Sequence, residues 1–284
     1  MSFPLPRAVR ALRRTGAALL ALQPLLPLAA TAQGDPPFVR VRVDEARNRA
    51  LLEIPREQLD KDLLHTITLA TGLGTGTLDR AETGPSGIVR LERRGGRVLM
   101  VRDNLTARAP NGDAANRRAA TEAFPRSIVA SFPIERDTAG VITVDASSVF
   151  LADAYGVADR LRTGGSAGGT AAAAPGVGAY RLDAARSYLD GDRTKAFARN
   201  AEVHAVLTFV SDAAPRGRGG VAPDPRAMTF EVHHSLLVLP DTTGFRGRHN
   251  DPRMGYSGTP FFDLSKGLDG DYRGGFINRW RLVP

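Results

Sequence analysis

Five histidines are the first place to look for chemistry in this chain: His65, His204, His233, His234 and His249. No His-Glu-x-x-His occurs, so the helical pair that gives a zinc peptidase two ligands and a general base is absent. His233 and His234 are adjacent in an alternating apolar run, where neighbours point to opposite faces of a strand and cannot share one ion. His234 falls in step with Phe230, Val232, Leu236 and Val238, which predicts a hydrogen-bonded core histidine. A metal set of His204, His233 and Glu231 requires the two strands carrying them to be neighbours. Asp145, Asp153 and Asp159 have the composition of an acid–base cluster, but helix capping and solvation account for them at lower cost. No Gly-x-Ser-x-Gly occurs, and the glycine run 72–76 is followed by neither Gly-Lys-Ser/Thr nor a helix, so it reads as a turn and not a phosphate loop. The residues therefore predict no catalytic group, no metal ligand and no cofactor in this chain.

The densest polar segment runs from Arg246 to Tyr256 and contains Arg246, Arg248, His249, Asp251 and Arg253; Arg279, Trp280 and Arg281 follow near the C-terminal end. Cationic side chains this close repel one another unless carboxylates or a partner offset them, which predicts a partly buried polar setting with Asp251 taking the arginine forks.

The pattern R-x-R-x-x-D-x-R-x-G-Y over 246–256, followed by R-W-R-L over 279–282, resembles the end of the N-terminal domain of unknown function found in secreted bacterial zinc-dependent metalloproteases of the zincin clan. Shorter blocks extend the resemblance from Leu52 to Leu282: Leu52-Glu53-Ile54-Pro55, Ser131-Phe132-Pro133-Ile134, Val144-Asp145, Asp183 to Ser187, and Leu239-Pro240. In that family R-W-R-L leads into a catalytic domain bearing H-E-x-G-H-x-L-G-L-x-H-N. The resemblance thus implies a non-catalytic accessory region whose partner is that metallopeptidase domain, in cis or from a neighbouring frame, with zinc held there and a peptide as a further partner. It places the contact on Arg246, Arg248, Asp251, Arg253, Tyr256, Arg279, Trp280 and Arg281, since arginine and aromatic anchors dominate interfaces. A free-standing exported module for peptides or glycans is the alternative.

Four features of composition bound these readings. Arg7, Arg10, Arg13 and Arg14, an apolar stretch from Thr15 to Ala30 and the small residues Ala30-Thr31-Ala32 predict a cleaved signal peptide over 1–32, and export to the periplasm or medium. The apolar stretch, broken by Gln23, Pro24 and Pro27, is too short for a membrane span. The formal charge of +8 falls to +4 without that leader, 34 basic residues against 30 acidic, and the excess is dispersed, which argues against a nucleic-acid partner. With no cysteine, disulfides and thiolate chemistry are excluded.

The elements that must position these residues read as a β-rich α+β domain over 35–284, antiparallel, with a few short helices. Strands are predicted over 38–43, 49–54 and 63–70 as an opening meander, and over 88–93 and 97–102 as a hairpin through Gly95-Gly96. A helix capped by Asp113 is expected over 113–124, paired strands over 127–134 and 141–144, and a helix over 147–161 weakened at Gly156. The stretch 163–179, rich in Gly and Ala, reads as a surface insert, and 202–210 and 228–239 as long strands joined by a Pro/Gly-rich loop. A final strand is expected over 279–282.

Overall fold

The computed structural model describes residues 37–74, 78–162, 179–212, 222–266 and 270–280, all within one compact unit, Asp35–Pro284. The expected leader, nearly all of the 163–179 insert, most of the 212–226 loop, Gly76, Arg281 and Leu282 lie outside the described residues.

The fold is the predicted β-rich α+β class. Strands β1 (Arg40–Asp44), β2 (Arg49–Pro55), β3 (Leu63–Leu69), β4 (Gly87–Arg94) and β5 (Arg97–Arg102) are followed by the short β6 (Ala107–Arg108) and helix α1 (Ala114–Ala123). Strands β7 (Ser127–Thr138) and β8 (Val141–Asp145) precede helices α2 (Ser147–Phe150) and α3 (Val157–Arg162). Then come β9 (Arg181–Ala196), β10 (Asn200–Val210), β11 (Ala227–Val238), β12 (Gly258–Asp263) and β13 (Arg273–Ile277).

Ten of these strands form one antiparallel sheet in the order β1-β2-β8-β7-β5-β4-β3-β11-β10-β9. The sheet curls until its two end strands, β1 and β9, lie side by side. Asn48 fastens this seam: its Nδ2 donates to the Ser187 carbonyl at 2.9 Å and its Oδ1 accepts from the Leu189 N–H at 2.9 Å. Asn48 has φ of +51°, a left-handed conformation in which asparagine is enriched. Beside it, Gly191 packs so tightly on the Glu45 carboxylate that a Cβ would collide.

A curled sheet has one inward face, and the alternation of β-strands fills it. Ala50, Leu52 and Ile54 point inward from β2; Leu63, Ile67 and Leu69 from β3; Val203, Ala205, Leu207 and Phe209 from β10; Phe230, Val232 and Leu236 from β11. Val149, Phe150, Val157 and Leu161 of the two short helices join the same core. The hairpin of β4 and β5 turns through Gly95 at φ +58°, and that of β7 and β8 through Ala139 and Gly140 at +51° and +79°, the left-handed pair a two-residue turn uses to match strand twist.

Three expectations are corrected. The opening is a hairpin and not a meander, because β2 turns to pair with β8 while β3 crosses to lie between β4 and β11. The helix over 147–161 is two helices: Gly156 adopts φ +82°, and Asp153 caps the second by accepting the N–H groups of Gly156, Val157 and Ala158. No strand begins at Arg279. The last described strand, β13, ends at Ile277, and the Asn278 N–H carries its register against β12 one step further, to the Ser257 carbonyl at 3.0 Å.

A second sheet, β13-β12-β6, carries the C-terminal part of the chain. Helix α1 neighbours it, started by a reciprocal cap in which the Asn116 N–H donates to Asp113 and the Asp113 N–H to Asn116.

Candidate functional site

The histidines come together in two pairs on opposite faces of the β3-β11-β10 region. On the inner face His65 of β3 and His234 of β11 stack with ring centroids 5.4 Å apart, and His65 Nε2 lies 3.2 Å from His234 Nδ1. Phe150 meets His234 edge-on at 5.2 Å. His65 Nδ1 faces Arg102 Nη2 at 3.5 Å. An arginine can only donate, so Nδ1 of His65 must accept and its proton must sit on Nε2, which then donates to Nδ1 of His234. That leaves the proton of His234 on Nε2, which is buried without a hydrogen-bond acceptor. Both rings are thereby neutral. Burial, with Arg102 nearby, lowers the pKa of His65 to about 4, and burial together with His65 drives His234 well below the usual imidazole range. His234 is the hydrogen-bonded core histidine that the alternation predicts.

On the outer face His204 and His233 sit opposite each other in the β10–β11 register, rings stacked at 4.4 Å. The strands are neighbours, as a metal set would need, but Glu231 is engaged elsewhere: Arg193 donates to it at 2.6 Å. The carboxylate beside His233 is Glu202, 2.7 Å from His233 Nε2. Burial alone would raise the Glu202 carboxyl, yet donors from His233, Asn200 and Ser235 outweigh it and hold its pKa at about 2. Ser235 donates to Glu202 and not to a histidine, so this constellation has the residue types of a nucleophile relay in the wrong order. Burial and the charge of His233 lower the His204 pKa. Among the described residues, no three His, Asp or Glu side chains are arranged to hold a metal ion.

The carboxylates singled out from the sequence have structural partners. Asp145 accepts from the Ser147 N–H at 2.9 Å and from Arg49 at 2.6 Å, Asp153 caps α3, and Asp159 pairs with Arg162 at 3.2 Å.

The arginine segment is brought beside the end of β13, but it is not partly buried. Asp251 takes the Arg253 guanidinium through both oxygens, and that bond holds its carboxyl below the usual range; the Arg253 side chain is nevertheless 88% exposed. Arg246 and Arg248 are exposed. The Arg248 carbonyl accepts from the Ile277 N–H at 2.9 Å, and Arg279 reaches back to the Arg246 carbonyl while lying over the Phe245 ring at 4.6 Å. His249 packs on Phe276 with ring centroids 5.0 Å apart. Tyr256 is 58% exposed and Trp280 90%. One carboxylate cannot offset several arginines, so solvation does the rest.

Sequence reasoning missed Arg102. It lies in step with Val98 and Met100 on the inward face of β5, a charge on an apolar stripe, and that break in pattern was the available signal. It also missed Glu202, whose importance depends on a neighbour 33 positions away.

These features define a class: an antiparallel sheet rolled until its ends meet, with a buried histidine pair inside and an exposed arginine and aromatic segment outside. Residues 81–284 match the family described as Domain of unknown function (DUF5117), and the chain belongs to that family. The search of curated proteins and that of solved structures found no match.

Proposed function

We propose that this domain is the non-catalytic N-terminal accessory region of an exported zinc-dependent metalloprotease, and that it packs on the catalytic domain of that enzyme. The observation that carries the reading is Trp280, an indole with nine-tenths of its surface in water, standing just beyond β13 next to Arg279, with Tyr256 and Arg253 also exposed. Tryptophan, tyrosine and arginine are the residue types that concentrate binding energy at protein contacts. The R-W-R-L resemblance supplies the partner, a domain carrying H-E-x-G-H-x-L-G-L-x-H-N, and zinc belongs to that domain.

The test has two arms. The chain alone, with zinc added, is expected to give no peptide hydrolysis; robust zinc-dependent turnover would end the proposal. Mixed with a metallopeptidase domain of that motif, it is expected to form a 1:1 complex by analytical ultracentrifugation, weakened at least tenfold by Trp280→Ala.

A second reading, a free-standing exported module for peptides or glycans, is favoured by one feature. Between α1 and the second sheet lies an open cavity of about 780 Å³ walled by Ala119, Phe124, Phe262, Leu264 and Tyr272. Phe124 and Phe262 stack across it at 6.5 Å. Saturable peptide or oligosaccharide binding that Phe262→Ala abolishes and Trp280→Ala leaves intact would favour this reading.

A further inference from the structure

His65 of the inner pair borders a cavity of about 320 Å³ between β3, β5, β7 and the α2 segment. Its size is at the small end of ligand pockets, about 300 Å³ and upward. Ile67, Val129, Val149, Ala152 and Ala154 give it apolar walls, and Ser148 stands at its exposed side. Val129 is the extra residue of a β-bulge: Met100 pairs with Ala130 but Val101 with Ile128. Bulges commonly re-aim a side chain beside a functional site.

The polar side of this cavity is cationic. Arg102 lines it, forms no ion pair with any described carboxylate, and keeps its Nε buried without an acceptor. Space for it is made by Gly87, where a Cβ would lie 3.2 Å from both Cδ and Nε of Arg102. The only carboxylate in the wall, Asp153, has its oxygens committed to three backbone N–H groups at 2.7–3.0 Å. His65 accepts from Nη2 of the guanidinium with its Nδ1, which orients the group while adding no charge. A buried guanidinium N–H such as the Arg102 Nε–H is costly unless an acceptor meets it, and a carboxylate matches the two-pronged geometry of the group.

We propose that this cavity binds a small aliphatic carboxylate, its oxygens taken by Arg102 and its hydrocarbon chain by Ile67, Val129, Val149, Ala152 and Ala154. The same chemistry is offered by a free branched-chain acid and by the C-terminus of a peptide ending in valine. The inference does not depend on the metalloprotease reading, since the cavity lies in the ten-stranded sheet and not at the arginine segment.

The experiment is isothermal titration calorimetry at pH 7 with sodium isovalerate, an Ala-Ala-Val peptide, its C-terminal amide, and sodium chloride as control. One-to-one binding of isovalerate, the free-acid peptide or both is expected, with a Kd of about 1 mM or tighter, and none of the amide or of chloride. Isovalerate alone binding identifies a free acid; the free-acid peptide binding better identifies a chain terminus. Arg102→Gln is expected to weaken binding at least tenfold. Ala152→Leu, which fills the cavity and keeps the cation, is expected to do the same, so an unfolded Arg102 variant would not leave the matter open. No saturable heat with either acid, equal binding of the amide, or unchanged affinity in a folded Ala152→Leu would overturn the proposal.

Discussion

The ten-stranded and three-stranded sheets bury their phenylalanines to different degrees. In the large sheet Phe132, Phe209 and Phe230 are fully buried, with Phe209 and Phe230 edge-on at 6.1 Å. In the small sheet Phe261 is buried against Phe276, but Phe262 is 48% exposed, and Tyr256 and Trp280, just outside its strands, are 58% and 90% exposed. A sheet that closes on itself needs nothing further to cover its apolar face, whereas a three-stranded sheet has one face more than its own chain can cover. The difference puts the fully buried phenylalanines in one region and the most exposed aromatics, Tyr256 and Trp280, beside the other.

The comparison is broken most severely by deletion. The family match begins at residue 81, yet β2 and β3 sit inside the large sheet, β3 between β4 and β11. A chain starting at Ala81 leaves β8, β4 and β11 each with an unpaired edge and loses Leu63, Ile67 and Leu69 from the core; we expect no cooperative urea transition from it. Phe132→Ala should cost about 3–5 kcal/mol in urea melts, while Phe262→Ala, already half in water, should cost under about 1 kcal/mol.

Acid should act on the large sheet in the same sense. His65 is depressed in the folded state, so the unfolded chain binds more protons below pH 6.5. Stability is therefore complete above that pH and lost as pH falls toward about 4. The lowered value of about 4 corresponds to about 3 kcal/mol at that pH, with His234 acting in the same direction. Urea midpoints at pH 7 and 4.5 measure this, and His65→Leu should flatten the dependence.

Asn48→Ala leaves a seam carbonyl and N–H without their partner and puts alanine at positive φ, at a cost of about 2 kcal/mol by thermal or urea melting. Trp280→Ala should change stability by less than about 0.5 kcal/mol. A larger loss would mean that the indole supports the fold and is not held ready for a partner.

Much of the architecture was legible residue by residue. The run from Phe230 to Val238 put His234 inside and His233 outside, Gly95-Gly96 marked a hairpin, and Asp113 marked the start of α1, because each depends on neighbours a few positions away. Three features were not. The pairing of β3 with β11 joins residues more than 160 positions apart, and no local pattern encodes it. The expected partial burial of Arg246 to Arg253 failed because charge density shows that an offset is required but not whether water or protein provides it. The expected strand at Arg279 failed because β propensity cannot show where a strand runs out of partner: the β12–β13 register reaches Asn278 opposite Ser257, and Arg279 and Trp280 lie outside the ladder.

By itself the amino-acid sequence determined the class of this fold, the faces of its strands and the absence of a His-Glu-x-x-His helix, all properties of residue type and short spacing. Tertiary structure alone decided that His65 meets His234, that Asn48 closes the sheet and that Arg102 faces a cavity whose carboxylate, Asp153, is committed to backbone N–H groups. Those depend on which distant strands become neighbours, and that choice is made by the burial of the whole inward face at once.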